Sequence, residues 1–166
     1  MPEYLLDANV FIEAKNRYYQ FSFCPAFWEW LVVQNEQGTI ASIDRIRDEL
    51  INGDEEFVNW VNTNENLFLP VNIHEIEPYL RNLTNWVNEL DKPDAEKQKF
   101  LASGDYWLIA YAMANQCKVV TLEAPAPPNS LKIKIPDVCR AFSLDCMKTF
   151  DLLEIAGARF VLETIP

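Results

Sequence analysis

Asp7, Glu49, Asp105 and Glu123 are acids set against apolar segments rather than in the polar stretches between them. Asp7 follows Tyr4-Leu5-Leu6, and Glu123 closes the run Val119-Val120-Thr121-Leu122. Each therefore reads as a carboxylate at the C-terminal end of a strand, and two such ends in one parallel sheet share an edge. Asp105 heads the apolar run DYWLIAYAMA directly after Ser103-Gly104, where a helix returning to the sheet would begin. Glu49 lies in RIRDELI, about 60° around a helix axis from Ile46, at the border of the buried stripe. Taken singly, Asp7 could cap a turn, Asp105 could favour a helix dipole, and Glu49 and Glu123 could be solvated. Four carboxylates converging on one rim would instead repel and raise one another's pKa unless a cation sat among them. All-oxygen sites of this kind suit Mg²⁺ or Mn²⁺.

The surrounding pattern alternates strands with helices. Residues 4–6 read as a short buried strand, with Asn9 placed to cap a helix reaching about Lys15. CPAFWEWLVVQNEQG reads as a helix opened by Pro25 and stopped by Gly38. TIASI (39–43) alternates like a strand, and Asp44 reads as the N-cap of the helix bearing Glu49. From Asp54 to Ser103 the pattern is helical, with Pro70, Pro78 and Pro93 as breaks or first turns. KVVTLE (118–123) is a strand, APAPPNS a loop, LKIKI an alternating segment, PDVCRAF a helix, DCMKT a short strand, and FDLLEIAGARF a helix ended by Gly157. Strands separated by helices predict an α/β fold, a three-layer α/β/α arrangement with a mostly parallel sheet, forming a single domain over 1–166. In such sheets ligands bind beyond the carboxyl ends of the strands, the edge to which the acids are assigned.

Composition excludes several classes. The net charge of −11 opposes a broad electrostatic nucleic-acid binder, because phosphate neutralisation needs clustered Lys and Arg. A local basic patch from Lys132, Lys134 and Arg140, with Lys15 and Arg17 upstream, stays open beside the reading of a solvated surface. No apolar run approaches the roughly 18 residues that span a bilayer, so no membrane association is expected. The N-terminus lacks the basic segment and long apolar core of a signal peptide, which predicts a cytoplasmic protein. Cys24, Cys117, Cys139 and Cys146 form no C-x-x-C pair and His74 is the lone histidine, so free thiols are expected rather than a zinc site.

The order LLDANVF, then RDEL with Glu49, then SGDYWLIAYA with Asp105, then VVTLE with Thr121 and Glu123, resembles the PIN domain, a family of metal-dependent ribonucleases that includes many toxins of bacterial toxin-antitoxin modules. FWEWL, IASIDRIRDEL and IKIPDVC extend the likeness to a less-studied PIN-like branch over nearly the whole chain. The resemblance implies a parallel sheet with helices on both faces. It also implies that Asp7, Glu49, Asp105 and Glu123 hold Mg²⁺ or Mn²⁺ and serve catalysis on an RNA substrate. Glu123 stands where many members have an aspartate, and Asp137 is an alternative fourth acid. Asn9 and Thr121 match polar positions that orient ligands or water, and Lys132, Lys134 and Arg140 could steer RNA. A small antitoxin protein as partner and a homodimer follow from the same resemblance.

A rival reading is a non-catalytic interaction module whose aromatic segment, Phe21, Phe23, Phe27, Trp28 and Trp30, meets a protein partner. A phosphatase or nucleotide-binding protein fits less well. The four glycines, at 38, 53, 104 and 157, build no G-x-G-x-x-G or phosphate loop, and the sequence after Asp7 lacks a D-x-D.

Overall fold

The computed structural model describes residues 1–163. Strand β1 (Tyr4–Leu6) is buried at every position, as a strand covered on both faces must be. Asp7 ends it and caps helix α1 (Ala8–Glu13): its backbone is extended and its Oδ1 accepts from the Ala8 N–H at 2.6 Å. Asn9 is therefore not the cap expected from sequence but the second residue of the helix. A π-helical turn, Ala14–Tyr18, continues α1. Helix α2 (Pro25–Glu36) begins at its proline, and Gly38 follows it with φ +74°, a left-handed conformation that glycine adopts without steric cost.

Strand β2 (Ile40–Ile43) leads directly into α3 (Asp44–Leu50). Asp44 is the first residue of that helix rather than its cap. Its Oδ2 accepts from the Val71 N–H at 3.1 Å, tying the head of α3 to the chain beyond the next strand. Helix α4 (Glu55–Thr63), a 3-10 turn and a two-residue strand β3 (Phe68–Leu69) come next. The sequence pattern, helical over this whole segment, does not show that strand. Helices α5 (Ile73–Glu89), α6 (Asp94–Leu101) and α7 (Gly104–Asn115) return the chain to β4 (Lys118–Val120). No residue of α7 is fully exposed and Leu108–Ala112 are buried, in line with its apolar sequence. LKIKI forms no strand; its last residue opens α8 (Ile135–Ala141), followed by β5 (Cys146–Met147) and α9 (Thr149–Ile155).

Among the described residues, five strands form one sheet in the order β3-β2-β1-β4-β5, every pair parallel. The fold is thus α/β in three layers. From β1 the chain steps one way to β2 and β3, and from β4 it steps the other way to β5. Right-handed crossovers running in opposite directions place helices on opposite faces, and the reversal falls between β1 and β4. The register sets Leu6 beside Val120, so both strands run out together at that point. One core runs through the sheet, from Leu5, Leu6, Ile43 and Val119 to Phe11, Phe27 and Leu108. Phe27 and Trp28 are buried and Phe21 stacks on Trp28, so most of the aromatic segment is core. Phe23 alone of the five is 60% exposed.

Candidate acidic site at the switch in strand order

Leu6 and Val120 end side by side, and the Asp7 N–H extends the ladder by donating to the Val120 carbonyl at 3.0 Å. The next residue on each strand is polar. Asp7 is only 3% exposed and Thr121 1%, and the Thr121 hydroxyl donates to Asp7 Oδ2 at 2.9 Å. Asn9, one helical step further, reaches back across the same junction. Its Nδ2 donates to Thr121 Oγ1 at 3.1 Å and its Oδ1 accepts from the Leu122 N–H at 2.9 Å. The Glu123 N–H donates to Thr121 Oγ1 at 3.1 Å. Ser42 of β2 closes the other side by donating to the Leu6 carbonyl at 2.6 Å. These bonds fix the Asp7 carboxylate from both flanks, as groups around a ligand-bearing side chain commonly do.

Asp105 enters from the first turn of α7 and makes a side-chain hydrogen bond with Asp7. Burial pushes Asp7 up to about 6, with the charge of Glu123 adding to it, while the bonds from Thr121, Asp105 and Ala8 act the other way. Asp105 is pushed up to about 9 by burial first, then by the charges of Asp7, Glu123 and Glu49 and by its bond with Asp7. Two carboxyl groups held this close cannot both be ionised, so the pair shares a proton.

The two glutamates are placed differently. Glu49 Oε1 accepts from the Gly104 N–H at 2.6 Å, at the head of α7. A Cβ on Gly104 would lie 2.7 Å from that oxygen and 2.8 Å from Ile46 Cδ1, so glycine is what allows Glu49 to come so near. Glu123 accepts from the Ile135 N–H at 2.8 Å and pairs with Lys134 Nζ at 3.3 Å, joining the end of β4 to the start of α8. Asp137, the alternative fourth acid, is committed elsewhere: its Oδ2 accepts from the Ala126 N–H at 2.8 Å and its Oδ1 binds Arg140 at 2.7 Å, folding the proline-rich loop back on α8.

The structure thus brings Asp7, Asp105, Asn9, Thr121 and Glu123 together, with Glu49 joined through the head of α7. Most of the basic residues named from sequence are engaged by acids: Lys15 by Asp54, Arg17 by Glu13, Lys134 by Glu123 and Arg140 by Asp137. Lys132 lines a depression of about 130 Å³ together with Lys99, Lys134, Asp105 and Glu123. Spacing along the chain gives no sign of Lys99, on α6, because only the packing of α6 beside α7 and the β4–α8 loop brings it there. A larger cleft of about 490 Å³ opens on the other side of Glu123, toward β5.

The donor chemistry of Asp7 and Asp105 fits a hard divalent cation: paired oxygens, buried, with a charge conflict that a cation would relieve. Glu49 and Glu123 give oxygens to backbone N–H groups instead. Among the described residues no three His, Cys, Asp or Glu side chains stand already gathered as a set that could hold a metal ion.

The family model that matches this chain spans residues 4–160 and is described as a domain of unknown function, DUF4411. The chain belongs to that family. No curated protein and no solved structure matches it. The DUF4411 match takes in every residue of the acidic site and both depressions beside it. Among the described residues no helix is long and apolar enough to cross a membrane.

Proposed function

We propose that this chain is a divalent-metal-dependent ribonuclease that hydrolyses RNA phosphodiester bonds and acts in the cytoplasm as the toxin of a toxin-antitoxin module. The observation that carries the nuclease reading is the buried Asp7–Asp105 pair, sharing a proton at the point where the strand order reverses. The likeness of the acidic motifs to PIN-domain ribonucleases supplies the reaction class, and it alone supplies the toxin role, the antitoxin partner and the homodimer.

Asp7 and Asp105 would hold Mg²⁺ or Mn²⁺, with Glu49 and Glu123 at the margin. Such an ion, when bound, lowers the pKa of a bound water and stabilises charge on the phosphate oxygens. The chain's own part is to fix the carboxylates and the substrate. Thr121 and Asn9 hold Asp7 in one orientation. Lys99 and Lys132, in a depression shared with Lys134, Glu96, Asp105 and Glu123, would offer charge to a phosphate on one flank of Glu123. No side-chain nucleophile is required.

The commitment of Glu49 and Glu123 to backbone donors favours a second reading, a non-catalytic interaction module on the same fold. One experiment separates the two: incubate mixed single-stranded RNA with the purified protein and with Asp7→Asn, in EDTA, Mg²⁺ or Mn²⁺. Metal-dependent cutting that the variant loses supports the nuclease. Absence of cutting together with absence of metal binding by calorimetry supports the interaction module.

A further inference from the structure

The 490 Å³ cleft begins where the acidic site ends, since Thr121 and Glu123 belong to both. Its size lies in the range of small-ligand sites, roughly 300–1,000 Å³. Pro125, Pro136, Leu144 and Met147 give it apolar walls, of the kind that accept the flat face of a ring, and the methionine thioether adds affinity for an aromatic edge. Its far wall is β5, an edge of the sheet.

That edge carries information. The carbonyls of Asp145 and Met147 accept from the N–H groups of Val119 and Thr121 at 2.9 and 3.0 Å, so both face β4. Alternation along a strand turns the N–H and C=O of Cys146 the other way, toward the side where, among the described residues, no further strand pairs. Cys146 lines the cleft. A cleft with these apolar walls, a backbone donor and acceptor at β5 and a charged rim that includes Arg140, Lys148 and Asp151 matches a nucleobase, which offers two faces for packing and a donor and acceptor along one edge.

We infer that this cleft is a nucleobase subsite, holding the base next to the scissile phosphate of a single-stranded RNA and preferring a purine. The substrate class rests on the nuclease reading above. The strand would cross Glu123, with a phosphate among Lys99, Lys132 and Lys134 on one flank and a base in the β5 cleft on the other. A purine is favoured because its larger ring system covers more of the apolar walls.

The test uses fluorescence anisotropy of labelled A, G, C and U RNA hexamers on the intact protein in EDTA, and cleavage-site mapping on mixed RNA with Mg²⁺ or Mn²⁺. Purine hexamers should bind about tenfold more tightly than pyrimidine ones. Leu144→Trp, which fills the cleft, should erase the preference. Cys146→Pro should do the same by removing the outward N–H while sparing the ladder, a substitution that edge strands tolerate; circular dichroism melting checks that both variants fold. Purine-preferring binding without cutting in any metal would retain the subsite and sink the nuclease. Cutting without base preference, unchanged in both variants, would overturn the subsite and retain the nuclease. Capture of an extended peptide at β5, with no hexamer bound, would also overturn it.

Discussion

Asp7 and Asp105 lie together at the floor of the site, and burial drives both above the ordinary carboxylate range. Glu49 and Glu123 lie at its margin, each accepting from a backbone N–H at the start of a helix, Gly104 in one case and Ile135 in the other. The residues are chemically alike, yet one pair carries an unmet electrostatic demand and the other is already answered. Perturbed carboxyls gathered in a cleft mark function more often than scaffolding, whereas carboxylates bound to helix N-termini are an ordinary way of satisfying orphan donors. Under the proposed reading, the chemistry would fall to the floor and positioning to the margin.

That division can be broken most directly at the floor. Asp7→Asn should reduce RNA cleavage by at least about a hundredfold, more than is typical for groups that merely orient a ligand. Its melting temperature in EDTA should not fall, since a buried like-charge conflict is removed while the cap to Ala8 is kept. Unfolding of the variant would place Asp7 in the scaffold instead. Thr121→Val, which leaves Asp7 Oδ2 without its hydroxyl donor, should cost about tenfold to a hundredfold in activity. Full activity in that variant would show that the orientation of Asp7 is set elsewhere.

At the margin the expected effects are structural. Gly104→Ala forces a Cβ against Glu49 and Ile46 and should destabilise the protein by about 1–3 kcal/mol, read from urea titration. An unchanged midpoint would mean that Glu49 swings away freely and does not hold the head of α7.

A pH titration sharpens the electrostatic half of the comparison. Both floor acids bind a proton in the folded state at pH values where the unfolded chain, with a reference near 3.8, has released it. The unfolded state then holds fewer protons, so stability falls as pH rises. In EDTA the melting temperature should decline from about pH 4 to about 6 through both acids, and on to about 9 through Asp105. Asp105→Asn should flatten the upper part of that slope. A wild-type profile that is flat or rising over the same window would contradict proton sharing.

The floor of the site was the more legible part of the sequence. Asp7 was readable because strand ends in a parallel sheet share an edge, Asp105 because a returning helix must start there, and Thr121 only through the PIN resemblance. Asn9 was misassigned as a cap because Asp7, with its extended backbone, already fills that role; the asparagine is thereby freed to bridge β1 and β4. LKIKI alternates, but β4 pairs β1 on one side and Cys146–Met147 on the other, so Ile133 packs inward from a loop and Ile135 from the first turn of α8 instead. The two-residue β3 is too short to show a period. The bonds from Glu49 to Gly104 and from Asp137 to Ala126, like the position of Lys99, arise from packing between distant elements, which spacing along the chain does not encode.

The proton held between Asp7 and Asp105 makes the site an exchanger. A cation that settles on this pair must displace that proton into solution, so capture of metal and acidification of the medium are one event. Affinity should climb with pH while the exchange lasts, and the heat of binding should vary with the ionisation enthalpy of the buffer. The protein would therefore sense two ions through one pair of oxygen-bearing side chains.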